Sequence, residues 1–173
     1  SSAMRARTEL RLPVHLTLRD LAAAGDRLVA PGARIAICEN PSVLDAAIER
    51  GHQHPLVCVS GHLNRAVRLL LARLAADGAR CRYHGDVDRD GLIITAQVLA
   101  LTGGEPWRMT GADYRDAVSL AARDGVELAS FAGAIPDTAW DPILAHTIGR
   151  TGLAVEEEVV LPLLLADLAA GLD

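Results

Sequence analysis

Tyr83-His84-Gly85-Asp86-Val87-Asp88-Arg89-Asp90-Gly91 is the stretch on which the reading of this chain turns. It closes a short strand-like run at residues 79–84 and opens a segment in which Leu92, Thr95, Ala96 and Leu99 recur at helical spacing. The implied local structure is a strand, an acidic turn and a helix. Ile35-Ala36-Ile37-Cys38-Glu39-Asn40-Pro41 repeats that plan, with Asn40 placed to cap a helix and Pro41 at its first position. In an open α/β sheet, ligand sites lie outside the carboxyl ends of the strands, so Glu39, Asp86 and Asp88 are expected at one rim. Two aspartates two residues apart face the same side of an extended chain. Each raises the other's pKa unless positive charge lies between them. A hard divalent ion with oxygen ligands, Mg²⁺ or Mn²⁺, meets that need. An Asp-rich turn after a strand is also a common solvated cap; Glu39 at an equivalent strand end tips the balance toward an ion site.

The alternation continues outward from these two stretches. Residues 56–59 read as another strand, and the helix after it carries Leu63, Ala66, Val67, Leu70, Leu71 and Leu74 on one face until Gly78 stops it. Gly103-Gly104 ends the helix after the acidic turn, and residues 106–109 form a short fourth strand. Thr110 caps a helix ending near Gly125, and residues 126–131 are expected as a fifth strand. Residues 139–148 and 155–170 read as helices, the second kinked at Pro162. Ahead of all this, Thr17 caps a short helix through Leu18, Leu21 and Ala22, and Pro31-Gly32 is a turn. Strands separated by helical patterns imply parallel βαβ units with right-handed crossovers. The expectation is an α/β fold with a mainly parallel central sheet of four to five strands flanked by helices. Residues 1–33 are a lead-in, with Ser1-Ser2-Ala3 before Met4 read as a cloning scar, and residues 34–173 are one domain with a C-terminal helical extension.

At 173 residues the chain is long enough to bury roughly two-thirds of its unfolded surface. All 17 basic residues are Arg, which excludes any mechanism that needs a catalytic lysine. The net charge of −5 is unevenly spread. Residues 1–110 hold 14 Arg against 11 acidic residues, a balance of +3, and residues 111–173 hold 3 against 11, a balance of −8. Arginine matches phosphate geometry, while the acidic total argues against strong unaided DNA binding. Cys38, Cys58 and Cys81 each fall in an expected strand without a C-x-x-C pair, so reduced core thiols in a cytoplasmic protein are expected rather than a zinc site. No apolar run is long enough to span a membrane, and no signal peptide is evident.

A strand ending in Glu39, a second strand, and then a strand ending in Asp86-x-Asp88-x-x-Gly91 is an order that resembles the Toprim domain of topoisomerases, primases and several nucleases. The D-x-D-x-x-G variant is similar to the topoisomerase VI A subunit. Cys38-Glu39-Asn40-Pro41-Ser42-Val43 and Tyr83-His84-Gly85-Asp86-Val87-Asp88 more closely resemble the Toprim nuclease subunit of Wadjet-type, SMC-associated plasmid-defence systems (JetD-like). The likeness extends over residues 34–170 and includes Trp140-Asp141-Pro142 and Val155-Glu156-Glu157-Glu158. It implies a Rossmann-like core and Mg²⁺- or Mn²⁺-dependent cleavage of DNA phosphodiesters by Glu39, Asp86 and Asp88. It also implies an SMC-like ATPase partner and an N-terminal DNA-binding region outside this chain, and leaves a homodimer open; the acidic charge balance makes weak binding of double-stranded DNA by the chain alone the expectation. The topoisomerase relatives attack DNA with a tyrosine from a separate winged-helix domain. Here only Tyr83 and Tyr114 exist, and Tyr83 lies in a strand as a packing residue, so a covalent tyrosine mechanism is not expected.

Further candidates surround the triad. Asp90, Glu157 and Glu158 are additional ion ligands to consider, although Asp90 also suits a helix cap and the run Glu156–Glu158 a helix start. Ser60, Gly61 and His62 follow the second strand, where their backbone suits either a phosphate at a helix start or a plain tight turn with a surface histidine. Arg65, Arg68 and Arg89 are candidates to line a DNA path, against the alternative of isolated surface arginines without measurable effect. Asn40, Gly85 and Gly91 are expected to support the ion-holding groups, the glycines by letting backbone approach closely, and His84 either joins them or is a buried, hydrogen-bonded strand histidine. Haloacid-dehalogenase-type phosphatases and D…(D/E)-x-K nucleases both need a lysine and fail on its absence. A non-catalytic metal-binding module that docks DNA or partner subunits is the remaining alternative.

Overall fold

The structure, a computed structural model, describes residues 12–172, so the cloning-scar reading of residues 1–3 lies outside the described residues. Among them, four strands form one all-parallel sheet: β1 (Arg34–Cys38), β2 (Leu56–Cys58), β3 (Arg80–Tyr83) and β4 (Glu105–Pro106), in the order β2-β1-β3-β4. Seven helices flank it: α1 (Leu18–Ala23), α2 (Pro41–Glu49), α3 (Arg65–Ala76), α4 (Arg89–Thr102), α5 (Gly111–Asp124), α6 (Pro142–Thr151) and α7 (Leu161–Ala170). The protein is therefore an α/β fold with a Rossmann-like parallel sheet.

The period of two along β1 builds both layers. Ile35 and Ile37 point into one core with Tyr83, Leu71, Leu74, Ile94 and Val98 from β3, α3 and α4. Ala36 and Cys38 point into the other, with Val43, Tyr114, Ile148, Leu164 and Leu165 from α2, α5, α6 and α7. Residues 35–38 are all 3% exposed or less, which is why the strand reads as a continuous apolar run. Full burial of each isoleucine contributes roughly 1.5–3 kcal/mol. From β1 the chain moves outward through α2 to β2, and from β3 it moves through α4 to β4 on the other side. The carboxyl ends of β1 and β3 thus flank the switch point of the sheet, the usual ligand position in such folds.

Caps account for many boundaries. Thr17 and Thr110 form capping boxes with Asp20 and Asp113, and Asn64 accepts the amides of Ala66 and Val67. Because Asn64 is the cap, the helix after β2 starts at Arg65, and Ser60, Gly61 and His62 sit in the preceding loop rather than at the helix start. Ser60 and Gly61 hold positive φ values of 55° and 82° there.

The expected fifth strand at residues 126–131 is not formed. That segment makes one isolated antiparallel bridge, Ser130 with Leu153, and finds no strand to pair with along its length. The expected helix at 155–170 is divided. Val155 bridges Val87, residues Glu157–Val160 form a 3-10 turn, and Pro162 sits in the first turn of α7, where its missing N–H has no partner to lose. A half-buried pair locks α7 to the end of β4: Arg108 meets Asp167 through two bonds of 2.5 and 2.7 Å, and Trp107 Nε1 donates to the same carboxylate at 2.7 Å. No helix among the described residues is long and apolar enough to cross a membrane.

Candidate functional site

Glu39 and Asp86 meet at the switch point. Glu39 directly follows β1 and is 7% exposed. Its Oε2 accepts the Asp86 amide at 3.2 Å and the Tyr83 hydroxyl at 3.3 Å. Tyr83 is therefore both a packing residue and a partner of the site. Gly85 makes this approach possible, since a Cβ there would lie 2.6 Å from both Glu39 Oε2 and Tyr83 Oη. Gly91 serves similarly at the start of α4, where a Cβ would collide with the Asp86 carbonyl.

Val87 is buried and bridged to Val155, by Val87 N to Val155 O at 2.7 Å and Val155 N to Val87 O at 3.2 Å. The extended backbone there sends Asp86 and Asp88 away from the core on the same side. Asp86 Oδ1 accepts the Asn40 side-chain amide at 3.1 Å and the Glu157 main-chain amide at 2.7 Å. Asn40 thus gives its side chain to Asp86 and makes no side-chain cap on α2. Asp88 Oδ1 accepts the Gly91 amide at 2.7 Å, so Asp88, and not Asp90, caps α4. Asp90 lies in the first turn and pairs with Arg89 at 3.3 Å on the surface.

The result is a regular division of labour. Among the described residues, Glu39 Oε1, Asp86 Oδ2 and Asp88 Oδ2 accept no hydrogen bond from the protein, and no arginine pairs with any of the three carboxylates. The one unpartnered side-chain atom sealed from solvent among those residues is His54 Nε2, so the open oxygen of Glu39 reaches solvent. Burial, followed by the charge of Asp86, pushes Glu39 up to about 7. Burial also raises Asp86, with Asp88 and Glu158 adding repulsion. Three outward oxygens on carboxylates that repel one another are a donor set suited to a hard divalent cation. Among the described residues, no group of three or more His, Cys, Asp or Glu side chains is arranged so that it could hold a metal ion as it stands.

Glu157 has a different place from the one expected of it. It is 0% exposed, and its two oxygens accept the amides of Glu39 at 3.1 Å and Asn40 at 2.6 Å. Burial outweighs those bonds and pushes it up to about 9. Rather than facing a cation, it clasps the end of β1, while its own amide holds Asp86. The Val87–Val155 bridge delivers it there. Glu158 accepts the Ser42 hydroxyl at 2.6 Å on the exposed side. His84 is buried and its Nδ1 lies 2.7 Å from the Trp107 carbonyl, so its bond supports β4 rather than a carboxylate. The Ser60 amide donates to the Glu39 carbonyl at 2.9 Å, which removes it as a phosphate donor.

A cleft of about 450 Å³ opens beside the turn, lined by Asp86, Asp88, Arg89 and Asp90 and by residues of the segments 127–132 and 154–156. Another, of about 420 Å³, lies at the amino ends of the strands among Arg34, Arg80 and Arg82. Asp86 and Asp88 line the first, at the carboxyl ends of the strands; Glu39 does not line it. Arg89 lines it; Arg65 and Arg68 lie on α3, where Arg68 bonds Gln97 and the Leu63 carbonyl.

The family model described as "Protein of unknown function C-terminus (DUF2399)" matches residues 14–168. The chain belongs to the DUF2399 family. No curated protein matches it. The DUF2399 match spans both strand ends of the site and the Glu157 clasp, so the acidic rim lies inside the family's own boundaries.

Proposed function

We propose that this DUF2399 chain is a Toprim-type nuclease module of a Wadjet-like, SMC-associated complex, cutting DNA phosphodiesters with a divalent metal held by Glu39, Asp86 and Asp88. The observation that carries this reading is that each of these carboxylates keeps one oxygen free of protein donors at the switch point of the sheet. Mg²⁺ or Mn²⁺, when bound, supplies charge neutralisation for the phosphate and activation of water.

The chain's own residues set the stage for that chemistry. Glu39, raised to about 7, is able to hold or release a proton near neutral pH in the metal-free chain, which fits a general acid or base. Asn40 and the Glu157 amide fix one oxygen of Asp86, so its other oxygen is directed without freedom to swing back. Arg89, with its side chain 54% exposed at the cleft, is the cation available to a DNA phosphate. The cleft's acids, Asp86, Asp88, Asp90, Glu127 and Glu156, repel DNA until a cation is present. Hence the isolated chain should cut weakly, and a DNA-guiding region and an SMC-like ATPase should supply the affinity.

Nicking of supercoiled plasmid by the complete complex in Mg²⁺ or Mn²⁺ tests the reading. Loss of nicking in Asp86→Asn, with circular dichroism unchanged, is the expected result; undiminished nicking would refute it. A second reading, a non-catalytic metal-binding module that docks DNA or partner subunits, draws on the structural uses of Asp88 as cap and Glu157 as clasp. A complex that binds plasmid and metal yet never nicks it would favour that alternative.

A further inference from the structure

Cys38 and Cys58 occupy matched positions at the carboxyl ends of two paired strands. They are register partners in the parallel ladder between β1 and β2, and both side chains belong to the same layer of the core. The two thiols each donate to a main-chain carbonyl beside the rim, Cys38 to Asn40 at 3.6 Å and Cys58 to Glu39 at 3.3 Å. Neighbouring strands lie about 4.8 Å apart, inside the roughly 4.4–6.8 Å between Cα atoms that a disulfide spans. Cys38 is 0% exposed, whereas Cys58 is only half-buried on β2, a three-residue edge strand. Cys58 is thus the more accessible member of the register pair. Cys81 is also buried, but it packs in the opposite layer.

We propose that Cys38 and Cys58 form a hydroperoxide-responsive dithiol at the root of the acidic rim. The Cys58 sulfur attacks the terminal oxygen of a hydroperoxide; the O–O bond breaks, water or an alcohol leaves, and Cys58 becomes a sulfenic acid. The Cys38 sulfur then attacks the Cys58 sulfur, the S–O bond breaks, and a second water carries off the hydroxyl. Two thiols lose two electrons and two hydrogens in all, and the peroxide gains them. The disulfide removes the thiol hydrogen that Cys58 donates to the Glu39 carbonyl at 3.3 Å, so the change is felt one peptide from the carboxylate.

The test treats the intact chain with hydrogen peroxide, quenches it, unfolds it and counts thiols by maleimide labelling and mass spectrometry. Of three free cysteines, two should disappear together. The chain should lose the mass of two hydrogens, peptide mapping should link Cys38 to Cys58, and dithiothreitol should restore all three. Cys81→Ser should leave the response intact, and Cys58→Ser should leave Cys38 fully labelled after the same treatment. Retention of all three thiols, over-oxidation of Cys58 with Cys38 intact, a link through Cys81, or a link between chains would each overturn the proposal. None of these readouts depends on whether the site binds a metal.

Discussion

Glu157→Gln offers a test in which two effects of opposite sign can be separated by pH. The Glu157 side chain is sealed from solvent and receives the amides of Glu39 and Asn40. Glutamine keeps one oxygen acceptor and turns an NH₂ group toward the other amide, which costs about 1–3 kcal/mol for one unsatisfied buried donor. Against this stands the burial of the carboxyl itself. Its folded pKa is raised from 4.5 to about 9, so between those values the folded state holds a proton that the unfolded chain has released. The group's favourable contribution is complete below pH 4.5 and is lost as pH rises toward 9. At about 1.4 kcal/mol per unit, the wild type gives up about 3 kcal/mol between pH 5 and pH 7 from this residue. Glutamine does not titrate and loses none of it. In urea unfolding followed by circular dichroism with chelator present, the variant should be the less stable protein at pH 5. The gap should move by about 3 kcal/mol in its favour by pH 7. A gap that stays constant across this range would refute the buried-clasp account of Glu157.

Three other perturbations address separate parts of the site. Asp88→Ala should lose about 1 kcal/mol of stability with the α4 cap, while Asp88→Asn keeps a capping side chain; both should abolish metal-dependent nicking by the complex, and equal stability losses in urea would contradict the cap. His84 is held near 4 by burial, well below its usual 6.5, so its neutral form stabilises the fold above pH 6.5 and that stabilisation is lost as pH falls toward 4. Relative to His84→Asn, which retains a donor for the Trp107 carbonyl, the wild type should lose about 3 kcal/mol over that interval; parallel pH curves from urea unfolding would contradict it. Gly85→Ala places a methyl 2.6 Å from Glu39 Oε2 and Tyr83 Oη and should lower stability by about 1–3 kcal/mol in thermal unfolding. An unchanged melting temperature would mean the packing there is loose.

The residues that sequence reasoning found share one property: local pattern alone reveals them. Apolar runs ending in Glu39 and in Asp86-x-Asp88 mark strand ends because a strand's period and the turn after it are short-range features. The Asn40–Pro41 and Thr110 helix starts belong to the same class. Glu157 was visible only as one acid among three, because what singles it out is contact with amides 117 and 118 positions away. The expected strand at 126–131 failed for a related reason: strand propensity is realised only beside a partner, and pairing there is confined to the Ser130–Leu153 bridge and the two backbone bonds beside it. The kink expected at Pro162 does not arise: the 3-10 turn at Glu157–Val160 precedes it, and Pro162 sits in the first turn of α7, a position proline also suits. Whether Asp88 or Asp90 caps α4 rests on a two-residue difference in where the helix starts, the least certain part of any sequence reading.

The measurement closest to the central claim is calorimetric titration of the purified chain with Mn²⁺ and Mg²⁺, alongside Asp86→Asn. Saturable heat of binding in the wild type, much weakened in the variant while its metal-free fold persists, is the predicted result. Absence of any binding heat at millimolar metal, or identical binding by the variant, would contradict a cation site built from Glu39, Asp86 and Asp88.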